Sequence, residues 1–230
     1  MSKKIILITG ASRGIGFATS RYLAGEKHQV LATARSGELL DSLKSYSKRI
    51  DCVACDLLDA GSLQKIIDYV RDHNMEIQAL IHNAGGLINK PFRELTDQDW
   101  NTMWEMNVLS AVRLLRALLP FFAKQAHIVT IGSMGGFQGS SKFPGLSAYS
   151  TSKGALSVWS ECMAAELKDM GISVNCLCLG AVQTEMFQMA FPGVKAPLKS
   201  AEIAEFIGDF ALKAHKYMNG KVLPVALGDP

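Results

Sequence analysis

Long apolar runs are missing from this 230-residue sequence. No stretch approaches the ~18 apolar residues that a membrane-crossing helix requires, and the run Ile5 to Ile8 is about half of the ~7 to 15 residues in a signal-peptide core. Cysteine is scarce: five residues, at 52, 55, 162, 176 and 178, an odd number that gives no disulfide framework. Cys52 and Cys55 form C-x-x-C, but no second ligand pair follows at zinc-finger spacing and apolar Val53 and Ala54 fill the gap, so no metal site is expected. These absences point to a reducing, cytoplasmic setting. An excess of either charge is lacking too, since 24 basic residues face 21 acidic ones, interspersed along the chain. No field strong enough to recruit nucleic acid is expected, nor is a membrane partner. What is there is a soluble mix, 48% apolar and 20% charged. With no repeat and no linker, residues 1–230 are expected to form a single domain.

Short runs rich in Val, Ile and Leu alternate with longer stretches of helical period, the pattern of βαβ units. Strands are expected at Lys4–Thr9, Gln29–Thr33, Ile50–Ala54, Ala79–His82, His127–Ile131, Ser173–Leu179 and Val222–Ala226. Helices are expected at Gly14–Ala24, Gly37–Ser47, Ala60–Asn74, Asp97–Lys124, Ala148–Met170 and Ser200–Lys213. In the fifth helix Leu156, Trp159, Met163, Leu167 and Met170 form one stripe, and Gly171 supplies a stop. Because the strands are almost uniformly apolar, both faces of the sheet should be covered. The expected fold class is therefore α/β, a doubly wound, Rossmann-type, seven-stranded parallel sheet with helices on both faces. Ligands of such sheets bind beyond the carboxyl ends of the strands.

The first strand runs directly into Thr9-Gly10-Ala11-Ser12-Arg13-Gly14-Ile15-Gly16 and then a helix, the order that phosphate binding requires. Gly10 permits the tight turn, Gly14 lets the backbone approach a pyrophosphate, Gly16 permits close helix packing, and the helix amino terminus offers N–H groups to the anion. Gly10, Ser12, Arg13, Gly14, Ile15 and Gly16 are thus the first cofactor-binding candidates. At the end of the second strand, where a carboxylate would bind the ribose hydroxyls of NAD, stand Ala34 and Arg35. With Arg13 in the loop, two cations surround the 2′ position, which favours a phosphate there and hence NADP(H). Asp56-Leu57 and Asn83-Ala84-Gly85 end the third and fourth strands on the same edge. Asp56 either accepts from the adenine amino group or caps the next helix.

Tyr149-Ser150-Thr151-Ser152-Lys153 opens the fifth helix and puts phenol and ammonium on one face. A nearby cation favours phenolate, so Lys153 is expected to lower the pKa of Tyr149 and fit it for general acid and base work. Ser133, just after the fifth strand, either bonds a developing oxyanion or caps a turn. Asn107 is a poor helix former within a helical stretch and is either a functional residue or a cap.

In this order the motifs resemble the short-chain dehydrogenase/reductase family, over almost the whole chain. The resemblance implies that Tyr149 is the catalytic acid or base, that Ser133 orients the substrate oxygen, that Lys153 also binds nicotinamide-ribose hydroxyls, and that Asn107 holds a water of a proton relay. It places Gly180, Val182 and Thr184 against the nicotinamide end or the pyrophosphate. Two departures stand out. Leu179-Gly180 replaces the family's Pro-Gly, which predicts a looser turn, and Ser133 to Tyr149 spans sixteen residues, a longer interval than the family pattern implies.

Residues 184–198 correspond to a substrate lid. Its Met186, Phe187, Met189 and Phe191 suggest an apolar, compact aldehyde, ketone or alcohol, although Phe187 and Phe191 could equally pack on the core or a second subunit. The family also implies a homodimer or homotetramer through the fourth and fifth helices, for which Gly154, Ala155 and Ser157 would permit close approach. Arg113, Arg116 and Lys124 would suit an acidic carrier protein or a solvated face. The competing function is a non-catalytic NADPH-sensing regulator on the same fold.

Overall fold

The computed structural model describes residues 2–227. Seven strands, β1 (Lys3–Thr9), β2 (Val30–Ala34), β3 (Ile50–Ala54), β4 (Met75–His82), β5 (Phe122–Ser133), β6 (Ser173–Leu179) and β9 (Val222–Val225), form one sheet in the order β3-β2-β1-β4-β5-β6-β9. Every pairing is parallel. The reason is visible within β1. Ile6 and Ile8 point into one core with Leu23 of α1 (Gly14–Gly25), Leu40 of α2 (Glu38–Tyr46) and Ile207 of α8 (Ser200–Lys213). Ile5 and Leu7 point into the other, with Ile66 of α3 (Ala60–Asp72), Leu114 of α5 (Ser110–Leu118) and Ala164 of α6 (Ser147–Glu166). All four isoleucine and leucine side chains are fully buried, each contributing about 1.5 to 3 kcal/mol. A strand that feeds two cores has no polar face to alternate with.

The order reverses between β1 and β4, and the crevice of a doubly wound sheet opens at such a switch point. On its rim, β7 (Val182–Gln183) and β8 (Leu198–Lys199) pair in parallel and bracket α7 (Glu185–Ala190).

The expected helix Asp97–Lys124 is divided. α4 (Asp97–Trp104) passes through a π turn, Glu105–Leu109, into α5, and a 3-10 turn carrying Pro120 ends the helical stretch at Phe121. Lys124 therefore lies in β5. β4 and β5 start earlier than their apolar cores, and Gln125 in β5 has φ 63° where the pairing with β4 shifts register. α6 ends at Glu166, a 3-10 turn follows, and Gly171 stops it at φ 72°. Met170 leaves the stripe and is exposed. Gly154 and Ser157 serve contacts within the chain. A Cβ on Gly136 would lie 2.5 Å from Gly154 N, and the Ser157 hydroxyl is buried between Lys153 O and the thiols of Cys176 and Cys178.

Candidate active site

Beyond the carboxyl ends of the strands lies a cavity of about 660 Å³, within the ~300 to 1,000 Å³ usual for ligand and cofactor pockets. It is lined by all the expected site residues except Gly16 and Asn107, which stand behind its wall.

At the nucleotide end, Gly10 and Gly14 have φ 65° and 57°, backbone that suits glycine. Gly16 is required for another reason, because a Cβ there would sit 2.5 Å from Gly10 O and 2.6 Å from Asn83 Nδ2. Asn83 donates from Nδ2 to Thr9 O and Gly10 O, each at 3.1 Å, so its side chain braces the glycine turn. Arg13 stands at the N-cap of α1, and its side chain makes no bond to the first-turn N–H groups. This uncapped turn and the glycine cradle fit a dinucleotide pyrophosphate. Arg35 is exposed at the end of β2, with Ala34 and Ser36 beside it in the lining. Asp56 caps no helix. Its Oδ1 accepts from Leu58 N at 3.0 Å in a local turn, and Asp59 caps α3 by accepting from Gly61 N and Ser62 N.

At the other end, α6 carries Tyr149 and Lys153 one turn apart. Lys153 is buried and donates from Nζ to Ile131 O at 2.8 Å. Burial lowers its pKa to about 8. Burial also raises the phenol of Tyr149, and the neighbouring Ser133 hydroxyl pulls the other way. The expected lowering by Lys153 is not seen here: its ammonium is engaged by a strand carbonyl, and burial is the larger influence on the phenol. Ser133 caps a turn and faces the cavity. Its Oγ accepts from Gly135 N at 3.1 Å, capping a 3-10 turn, while it lines the cavity beside Tyr149.

Asn107 sits in the π turn, a distortion that recurs at functional sites. Its Oδ1 accepts from Gly86 N at 2.9 Å, and its Nδ2 donates to Gly86 O at 3.0 Å and to Ser152 Oγ at 2.9 Å. It joins the loop segment at Gly86 to the helix of Tyr149, since the Ser152 hydroxyl donates to Tyr149 O. Ser152 and Gly86 were not foreseen from sequence. Their position, one residue from Lys153 and Gly85, is the only sequence signal they carry. A second buried chain starts at Ala84 N, which donates to Thr9 Oγ1. The Thr9 proton then faces His82 Nδ1 at 3.3 Å, and His82 Nε2–H faces Ser110 Oγ at 3.4 Å. Ser110 in turn donates to Met106 O in the π turn.

The turn at Leu179-Gly180 is not loose. Gly180 N donates to Val225 O at 2.9 Å, and a Cβ on Gly180 would lie 2.7 Å from that of Ala226. The long Ser133–Tyr149 interval brings Met134, Phe143 and Leu146 into the cavity wall. Phe143 meets Phe191 edge-on at 6.2 Å, and Phe187 lies 5.2 Å from Phe191, so the lid aromatics form one wall with that loop.

A doubly wound parallel sheet whose glycine turn and Ser-Tyr-Lys cluster share one crevice is the architecture of a nicotinamide-dependent oxidoreductase. Residues 4–194 match the family model described as short chain dehydrogenase, and the chain belongs to that family. It is 29% identical over 235 residues to the 3-oxoacyl-(acyl-carrier-protein) reductase FabG of Escherichia coli, covering 96% of this chain and 95% of that protein. It is 32% identical over 191 residues to the fatty acyl-CoA reductase of Acinetobacter baylyi, covering 80% of this chain and 64% of that one. A dehydrogenase/reductase structure from Sinorhizobium meliloti superposes with a TM-score of 0.86 at 24% identity, covering 100% of this chain and 96% of the other, a likeness of fold. Among the described residues no helix is long and apolar enough to cross a membrane, and no cluster of three or more His, Cys, Asp or Glu could hold a metal ion.

Proposed function

We propose that the protein is an NADP(H)-dependent oxidoreductase that interconverts a carbonyl and an alcohol, with Tyr149 as general acid and base. The observation that carries this reading is that Ser133, Tyr149 and Lys153 line the same cavity as the glycine turn. The dinucleotide, when bound, supplies or accepts the hydride. Tyr149 gives its phenolic proton to the substrate oxygen in reduction and recovers it in oxidation. The Ser133 hydroxyl donates to the oxygen as negative charge develops. Lys153, held by Ile131 O, places a cation beside this exchange and would bind ribose hydroxyls, and Asn107 ties the helix that carries Tyr149 and Lys153 to the loop at Gly86. Gly180, Val182 and Thr184 would contact the nicotinamide end or pyrophosphate, with Asp56, Leu57, Asn83, Ala84 and Gly85 along the adenosine half.

The preference for NADP(H) rests on Arg13 and Arg35 lining the cavity where β2 ends in Ala34 instead of a carboxylate. Met186, Phe187 and Phe191 of residues 184–198 line the cavity as the lid and favour an apolar, compact carbonyl, whereas Met189 is exposed. Two relatives are named as acyl reductases, so a 3-oxoacyl thioester belongs beside aldehydes and ketones in the test. We expect loss of NADPH absorbance with at least one carbonyl of that panel. Tight NADPH binding with no turnover across the panel would instead favour a dinucleotide sensor. A homodimer or homotetramer through α4, α5 and α6 belongs to the same proposal, with Trp104 and Val158 exposed on those helices. Arg113 is less suited to greet a carrier protein than its position suggests, since Glu105 holds it through two hydrogen bonds.

A further inference from the structure

The lid is tied to the nucleotide loop. Arg13 donates from Nη1 to Glu185 Oε2 at 3.0 Å, a contact between residues 172 positions apart in the chain. Below that pair Thr184, the N-cap of α7, lies against the glycine turn, its Cγ2 3.4 Å from where a Cβ on Gly14 would be. Both partners line the cavity. Their side chains are 52% and 61% exposed, so packing locks neither of them. Arg35, at the end of β2, makes no ion pair among the described residues.

We propose that Glu185 is a specificity-determining residue for the cofactor: it holds the guanidinium that an adenosine 2′-phosphate would take, so only a dinucleotide carrying that phosphate draws Arg13 away from the lid. This rests on the NADP(H) reading above. A phosphate accepts paired, charge-assisted bonds from the planar guanidinium, whereas Glu185 offers one bond in an exposed setting where ion pairs are weak. The exchange therefore favours the phosphate. A bare 2′-hydroxyl cannot compete in this way, and the pair persists when NAD(H) binds. Glu185 is the first residue of α7, and Phe187 and Phe191 beside it line the substrate end. Release of Arg13 thus frees the lid when the phosphate-bearing dinucleotide arrives, and substrate follows it.

The test is fluorescence titration of NADPH and NADH against the native protein, Glu185→Gln, Arg13→Ala and the double variant. Glu185→Gln is expected to tighten NADPH binding roughly two- to fivefold, more than it changes NADH. The gain should shrink at high salt and vanish in the double variant relative to Arg13→Ala. Unchanged or weaker NADPH binding in Glu185→Gln, or a gain that survives without Arg13, overturns the proposal. If the native protein prefers NADPH and Arg13→Ala loses that preference while Glu185→Gln gains nothing, the role of Glu185 fails and the cofactor reading stands. If Arg13→Ala leaves the preference untouched, Arg13 does not meet the 2′-phosphate, and both fail at that residue.

Discussion

Gly16 is the residue for which the smallest change should matter most. Adding one methyl puts it 2.5 Å from Gly10 O and 2.6 Å from Asn83 Nδ2, too close for either backbone or brace to ignore. Gly16→Ala should destabilise the fold by about 1 to 3 kcal/mol and weaken dinucleotide binding, checked by denaturant melts and NADPH titration. Unaltered binding would show that the turn tolerates expansion. Arg35 is the opposite case, an exposed cation at the tip of β2. Arg35→Asp should shift preference from NADPH towards NADH without a change in melting temperature, and an unchanged ratio of the two affinities would remove Arg35 from the 2′ site. The glycine positions were legible because a positive φ or a close approach leaves a mark in the sequence. The roles of Asn83 as a brace and Asp56 as a local turn residue were not. Both depend on which atoms a tertiary fold brings near, and an Asn or Asp after a strand is compatible with several partners.

At the scale of elements, apolar runs gave the seven strands and their edge, since a strand buried on both faces has little choice of composition. Boundaries failed where polar residues enter the strands. Glu76 and Gln78 hid the first half of β4, and Gln125 with its positive φ hid the start of β5. The π turn was invisible for a different reason: Asn107 within it bonds to Gly86 and Ser152, residues 21 and 45 positions away that the sequence does not bring together. Asn107→Leu keeps helix propensity and removes those bonds. It should lower kcat while sparing NADPH affinity, because it loosens the helix of Tyr149 from the loop at Gly86. A loss confined to cofactor binding would contradict this. Asp59→Ala is the matched control. It should cost about 0.5 to 2 kcal/mol through loss of the α3 cap and leave kcat per folded molecule unchanged.

For the whole molecule, acid sensitivity should come from two imidazoles buried in neutral form. His82 is pushed down to about 3 and His127 to about 4, in both cases chiefly by burial. His127 donates from Nδ1 to Ala211 O and accepts from Asn175 at Nε2, so a second proton would meet a donor. In the unfolded chain both titrate near ~6.5, so below that pH the unfolded state binds more protons and stability falls with pH. The loss should be about 2 kcal/mol for each histidine by pH 5, read from denaturant midpoints between pH 7 and 5. A flat profile would mean that the burial is relieved. The central claim is narrower than the fold: the half-buried Tyr149 phenol, beside Ser133 and one helical turn from Lys153, performs the proton transfer for hydride exchange in the shared cavity. The most direct measurement is NADPH consumption with a turned-over carbonyl, compared between the native protein and Tyr149→Phe with dinucleotide affinity measured in parallel. The account predicts that kcat falls by about 10² to 10⁴ while NADPH binds as before. Turnover that survives the loss of the hydroxyl would contradict it.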